Sequence, residues 1–501
     1  MPSEKSLTKK IKGVGAPVTI VLLTAGLAAF SFFFLACPTP ESITAGRIKA
    51  LEKGLLRQVY FKGQRPEKLR LLDRMTFYKV PGVSLAVMDK FKIEWVRTYG
   101  YKDVIDYQKI TPETAFQAGE LSQPVAAAVT LRLCDKKQLN LEEDLGPYYT
   151  EKAFAGKKFR PAERLSFKLS QVLSHSAGFY PWTSTGYQPG APLPDLTHVL
   201  RGEEPAGNFF SFRGFEPRVG VRFSDFNYVL LQLYLEEKTG KKLEELGREE
   251  VFEALGLKKT SFGQPVTDDL AVGHERPGQA VEGKFYRYPE LAARGLWTNP
   301  SEYLTFLIEL MNCAQGKAQG FISSELARAM LSPQVDGSGF GFRLDGQHEK
   351  FKILMKGRTK GYRSAVLIYP ALGQGVVVMT NSDNGGVLIE EILHGLSAIY
   401  DWPDYKPEEK PLYRLDPSIY AQYVGRYQVN NDYFLDVTCE DYYLIVHPTG
   451  QSPTKFYVET QTIFFSVDPF IRIKFNLDER GQVTGLVLWQ EDYEVRARKV
   501  S

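Results

Sequence analysis

Residues 116–127 read FQAGELSQPVAA and run on as AVTLRLCDKKQLNLEEDL. A glycine, an acid, a serine and a proline before an apolar-periodic stretch predict the entrance of a buried helix. Glu120 and Gln123 stand three residues apart there and so face the same side of one turn. A carboxylate in that place can stabilise the helix entrance, contact a ligand, or serve as a nucleophile or general base. Gln123 can hold hydrogen bonds at both ends of its amide, but it cannot take up a proton as an amine base does. Ser122 carries a hydroxyl with no group one turn later to deprotonate it, so it reads first as a polar residue of the opening turn.

The elements that must position these residues read as mixed α/β. VPGVSLAVMD (80–89) and KIEWVRTYGYKD (92–103) predict a strand pair ahead of the helix. LSFKLSQVLSHSAGF (165–179) and SDFNYVLLQLYLEEKTG (224–240) belong to a long helix-and-loop region. Strand patterns return in FKILMKG (351–357), SAVLIYP (364–370) and GQGVVVMTNS (373–382), and VLIEEILHGLSAIY (387–400) closes the unit as a helix. Strands at both ends with helices between argue for one sheet assembled from distant segments. DWPDYKPEEKPLYRLD (401–416) holds three prolines and reads as a linker. Eight short, near-alternating segments follow, which predicts an antiparallel meander closing into a small barrel filled by its own side chains.

The N-terminus is of another kind. MPSEKSLTKKIKG carries four lysines, and the run 16–36 has no charge and about the ~20 residues needed to cross a bilayer. Lysines before it and none just after place the N-terminus in the cytoplasm and the rest on the periplasmic or outer-surface side. Three alternatives stay open: an uncleaved signal anchor, lipoprotein processing at Cys37 in FLAC (34–37), or plain secretion. The first two tether the chain to a membrane. The expected organisation is residues 1–37 as cytoplasmic tip and anchor, 38–66 as a polar stem, 67–400 as the main domain, 401–416 as linker and 417–501 as barrel.

Composition narrows the rest. Hydrophobic residues make up 43% and charged ones 24%, enough for a real core. With 62 basic against 59 acidic residues and no basic stripe, nucleic acid is not an expected partner. Cys134, Cys313 and Cys439 form no disulfide framework, and Cys134 and Cys313 read as small buried apolar residues. The histidines show no metal-ligand spacing, so neither a metal nor another cofactor is expected.

Residues 67–400 resemble the serine β-lactamase and penicillin-binding-protein family, particularly its class C and esterase-like branch. FQAGELSQPVAA is similar to the family's nucleophile helix, LSHSAGF (173–179) to its L-S-H-T-A-G loop, and RFSDFNYVLLQ (222–232) to its tyrosine-bearing loop and following helix. YPELAARGLWTNPSEYLTFLIEL (288–310) and KGYRSAVLIYP resemble its closing helix and sheet, and the barrel resembles a domain often appended in this family. The resemblance implies an antiparallel sheet flanked by helices, with a helical subdomain, and a chemistry of acyl transfer. In that family a serine and a lysine three residues on open the helix, a tyrosine shares the base role, and a lysine or histidine on a strand completes the pocket.

Carried over position by position, those groups are all replaced. The nucleophile position is Glu120, the lysine position Gln123, the tyrosine position Phe223 and the strand cation Met355. Phenylalanine keeps the ring and drops the hydroxyl. The resemblance therefore implies a kept scaffold without catalytic residues, a pseudoenzyme that binds a cell-wall peptide or a protein partner. Two competing readings are a hydrolase using Glu120 or Ser122, and a purely structural envelope protein with a collapsed cleft. Candidate binding residues are Glu120, Ser122, Asp225, Lys356 and Arg358. Alternation puts Met355 and Lys356 on opposite faces, so Arg358 is the expected ion-pair partner of Glu120. Backbone oxyanion donors could still hold a ligand carboxylate, unless Glu120 itself fills the hole. His175 reads as a structural hydrogen-bonding residue. The literal matches SLTK (6–9), SPTK (452–455), KTG (238–240) and SDN (382–384) lie out of order and context; Gly240 reads as a helix C-cap.

Overall fold

The computed structural model describes residues 39–154, 165–206, 220–275, 278–317, 320–335, 337–490 and 493–500. Residues 1–50 form one unit and 51–501 another. The apolar run 16–36 and Cys37, on which the anchor reading rests, lie outside the described residues; among those described, no helix is long and apolar enough to cross a membrane. The expected stem is helical over Pro40–Glu52. Further on, Val59–Phe61 pairs in parallel with Glu408–Lys410, so part of the expected stem and part of the expected linker are one two-stranded sheet.

The main sheet is built from β1 (Gly82–Asp89), β2 (Lys92–Asp103), β3 (Lys352–Thr359), β4 (Tyr362–Tyr369) and β5 (Gln374–Thr380). Its order is β2-β1-β5-β4-β3, extended by the short strands Gln108–Lys109 beside β2 and Leu344–Asp345 beside β3. All the pairings are antiparallel, so N-terminal strands meet C-terminal ones at the β1–β5 ladder. Every residue of β4 and all of β1 except Asp89 are buried, which requires cover on both faces. The near-continuous apolar runs that mark these strands in the sequence have that cause. Helix α1 (Ser122–Asp135) is buried along most of its length in the main core, with α2 (Asp225–Thr239), the one-turn α3 (Leu291–Arg294) and α4 (Pro300–Ala314) around it. Helix α5 (Gly385–Tyr400) packs on β4 and β5. Gly240 ends α2 with φ +70°, the left-handed C-cap read from the sequence. Cys134, Cys313 and Cys439 are free thiols, and of these only Cys313 is fully buried.

The tail is a closed barrel of eight antiparallel strands: β6 (Gly425–Gln428), β7 (Phe434–Glu440), β8 (Tyr443–Pro448), β9 (Thr454–Val458), β10 (Ile463–Val467), β11 (Phe470–Leu477), β12 (Val483–Gln490) and β13 (Tyr493–Lys499). Tyr423, Tyr427, Phe464 and Phe475 fill it, as alternation predicts for a barrel of this size. The tyrosine tips are satisfied in place: Tyr423 donates to the Gln461 carbonyl at 2.6 Å and Tyr427 to the Tyr423 carbonyl at 2.7 Å.

One polar corner fastens the barrel to the main domain. Asp468, between β10 and β11, takes hydrogen bonds from Arg74 at 2.5 Å and Arg57 at 2.9 Å. Arg74 is buried and also donates to Glu391 of α5 at 2.6 Å, where the Tyr78 hydroxyl joins at 2.9 Å. Four charges and a hydroxyl that satisfy one another make burial of this arginine tolerable.

Candidate functional site

Glycines bring the helix entrance against the sheet edge. Gly119 has φ +59°, and a Cβ on it would sit 2.3 Å from the Arg358 nitrogen. A Cβ on Gly357 would sit 2.1 Å from the Ala118 carbonyl oxygen. Only glycine fits both places, and the backbone of 118–120 lies directly on β3. Glu120, in a 3-10 turn just before α1, thereby meets the strand, and its Oε2 accepts the Arg358 backbone N–H at 2.7 Å.

The other oxygen of Glu120 belongs to Arg294. This residue ends α3, is 2% exposed, and donates from Nη2 to Glu120 Oε1 at 2.6 Å. Its Nε donates to Asp225 and its Nη1 to the Arg358 carbonyl, so one guanidinium joins helix entrance, α2 and strand. The Arg358 side chain adds a looser contact, Nε to Glu120 Oε1 at 3.7 Å. The pair expected between Glu120 and Arg358 is thus present but secondary, and Lys356 takes no part; it pairs with Glu390 at 2.9 Å. Arg294 is the residue at the centre of this cluster, and the motif comparison does not point to it. Its signal in the sequence is an arginine inside an otherwise apolar LAARGLW (291–297).

From Asp225 the polar chain continues to the LSHSAGF loop. Asp225 is 3% exposed and accepts from Gln123 Nε2 at 3.2 Å and from the Ser184 N–H at 3.0 Å. Gln123 Oε1 lies 3.1 Å from His175 Nε2, while His175 Nδ1 accepts the Ser224 N–H at 3.3 Å. A backbone donor on Nδ1 fixes the proton on Nε2, which donates to the amide. Burial, with Arg343 nearby, lowers the His175 pKa to about 3, so the ring is neutral. Burial raises the Asp225 pKa and Arg294 works against that; its contacts are all donors, the pattern an ionised carboxylate requires. Burial alone would lower the Arg294 pKa, but Asp225 and Glu120 outweigh it and the pKa lies above the ordinary arginine value.

The remaining sequence candidates fall in different places. Ser122 is fully buried; its hydroxyl donates to the Gly119 carbonyl at 2.7 Å and accepts the Leu296 N–H at 3.0 Å, so it braces backbone. Ser122 and Asp225 are therefore inside the protein rather than on a ligand surface. Met355 is 3% exposed and belongs to the hydrophobic core. Phe223 is half-buried, 5.0 Å from the His175 ring, with the Arg343 guanidinium 4.0 Å above its face. A cleft of about 660 Å³ opens beside these groups, lined by Glu120, Phe223, Arg343, Lys356, Arg358 and Glu390 among others. No described cluster of histidine, cysteine, aspartate or glutamate could hold a metal ion.

A helix entrance laid on β3 and tied to the LSHSAGF loop is the arrangement that the resemblance in sequence implies. Residues 70–394, more than half of the chain, match the family described as Beta-lactamase. The chain belongs to the β-lactamase family. Penicillin-binding protein 4* of Bacillus subtilis (strain 168) is 22% identical over 433 residues, 80% of this chain and 91% of the relative. Protein flp of Staphylococcus aureus (strain N315) is 22% identical over 319 residues, 60% of each chain. The fold matches the octameric penicillin-binding protein homologue from Pyrococcus abyssi with a TM-score of 0.56 at 17% identity, over 85% of this chain and 98% of that one. It matches D-amino acid amidase from Ochrobactrum anthropi SV3 with a TM-score of 0.53 at 19% identity, over 66% of this chain and 97% of that one. This β-lactamase family member thus keeps the family's scaffold, with a salt-bridged glutamate, Glu120, at the entrance of α1.

Proposed function

We propose that this family member performs no acyl transfer and works by binding. One observation carries the reading. Both oxygens of the Glu120 carboxylate are engaged, one by the buried Arg294 and the other by the Arg358 N–H. A carboxylate held this way is a poor nucleophile, and it blocks the strand N–H that would otherwise meet a substrate oxyanion. The base positions offer nothing in its place, since Gln123 is bonded at both ends of its amide.

Binding is favoured over a purely structural role because the cleft stays open and polar beside the locked centre, with Arg343 and Arg358 on its walls. The ligand in this reading is a cell-wall fragment, a peptide or a protein partner, met on the outer face of a membrane to which the N-terminal apolar run tethers the chain. The test is intact mass of the full chain in detergent after incubation with a penicillin and, separately, a fluorophosphonate. No covalent adduct and no turnover of chromogenic cephalosporins or esters is the expected result. A stoichiometric adduct on one residue would overturn the reading and name the nucleophile.

A further inference from the structure

A basic surface lies where the chain enters the main body, away from the cleft. Residues 52–70 read EKGLLRQVYFKGQRPEKLR, with six basic residues and two acidic. The fold gathers these charges. Leu55 and Leu69 exchange both of their backbone hydrogen bonds, each at 2.9 Å, so the loop 62–68 is folded back beside residues 52–55.

The charges of this segment differ in how they are met. Arg57 is taken by Glu67 at 2.6 Å and by Asp468 at 2.9 Å. Glu52 accepts the Tyr99 hydroxyl at 3.2 Å, and Glu409, the acid beside the loop, accepts the Gly63 N–H at 3.0 Å. Arg70 has only a loose contact with Asp73, at 3.9 Å. Lys53, Lys62, Arg65 and Lys68 are exposed, and among the described residues none of the four has a carboxylate partner. One such lysine on a surface is ordinary; four unpaired cations on one pinned segment are a local excess of positive charge.

Apolar side chains follow directly. The helix Leu71–Tyr78 buries Leu71, Met75 and Tyr78 but leaves Leu72 56% and Phe77 57% exposed. A cationic loop that runs into a helix with an exposed leucine and phenylalanine carries the two chemistries of a lipid interface. Ammonium and guanidinium groups suit headgroup phosphates, and the apolar side chains suit the layer beneath them.

We infer that the surface of residues 53–77 docks on the headgroups of an anionic bilayer, the one to which the N-terminal run tethers the chain. This rests on the membrane tether in the reading above. Fourteen residues, 37–50, lie between the apolar run and Leu51, and wound as a helix they would reach about 20 Å. Such a tether limits how far the body can stand from lipid, and the basic loop beside its point of entry sets which flank turns to the surface.

The test is hydrogen–deuterium exchange on the full chain in detergent, in phosphatidylcholine vesicles, and in vesicles with one-third phosphatidylglycerol. Amides of residues 62–70 are expected to exchange several-fold more slowly with phosphatidylglycerol than in the other two, and concentrated sodium chloride should remove the difference. K53E/R65E/K68E should abolish the protection and F77D weaken it. R480E, in the exposed β11–β12 turn, should leave it intact; each variant is checked for wild-type circular dichroism. Equal exchange in vesicles and detergent would overturn the docking surface while leaving the tether in place. Protection that is the same in both vesicle types, or that survives salt and charge reversal, would overturn the recognition of anionic headgroups. If inorganic phosphate in detergent reproduces the protection, the site takes a free anion and the bilayer assignment is wrong. A chain that associates with neither vesicle type would overturn the tether itself.

Discussion

The guanidinium of Arg294 and the carboxylate of Glu120 meet at 2.6 Å across 174 residues of chain, and the arginine is almost wholly withdrawn from solvent. Glu120 thus behaves as a built-in ligand for a cationic, N–H-lined hole. Removing it in E120A leaves Arg294 with Asp225 as its remaining carboxylate partner, a loss expected to cost about 2–3 kcal/mol. The vacated hole has the shape of a small carboxylate, so formate should restore part of that stability where equal chloride does not. Denaturant midpoints of wild type and E120A in the two salts check this.

Restoring a serine should not restore chemistry. E120S is expected to give no acyl adduct with a penicillin, because no base adjoins position 120. E120S/Q123K should fail as well: Asp225 lies against position 123 and would hold the new ammonium charged. Intact mass after prolonged incubation decides, and an adduct in the double variant would show that Asp225 does not block the base.

Two buried groups should pull stability in opposite directions with pH. His175 is lowered from 6.5 to about 3, chiefly by burial, so its contribution is present above pH 6.5 and is lost as pH falls below it. Glu290 is raised from 4.5 to about 7, again chiefly by burial, so its contribution is present below pH 4.5 and is lost as pH rises toward 7. Between pH 4.5 and 6.5 the two slopes oppose. Relative to wild type, E290Q should lose stability more steeply on acidification and H175Q less steeply, each by up to about 1.4 kcal/mol per pH unit. Urea unfolding across that window measures both.

The barrel corner is open to a mechanical test. Asp468 accepts from both Arg74 and Arg57, so D468A should loosen the barrel and speed tryptic cleavage within residues 401–416. D478A, in an exposed turn on the same barrel, should not. Limited proteolysis followed by mass mapping separates the two.

The sequence was most readable where periodicity and burial agree. The strands of the main sheet and all eight of the barrel lie where alternation or continuous apolar runs point, because a strand buried on one or both faces has little freedom in composition. Glu120, Gln123 and Phe223 could be singled out from the sequence because glycines and apolar neighbours frame each segment. Their contacts could not. The partner of Glu120 was sought on β3, where the family keeps its cation, but it comes from α3, a single turn whose one arginine looks like an ordinary helix end. Gln123 and His175 carry no sign in sequence that they share a hydrogen bond, because that contact depends on how two loops fold together. Ser122 and Asp225 look like surface polar groups until the backbone donors that bury them are placed.

The barrel has a further consequence through its stiffness. Eight strands in a closed ladder leave no edge to peel, and an interior packed with aromatic rings leaves nothing to squeeze. Trp489 and Arg472 are therefore points on one stiff body, held to the main domain at the Asp468 corner and again where the Phe61 ring lies 4.8 Å from Tyr457.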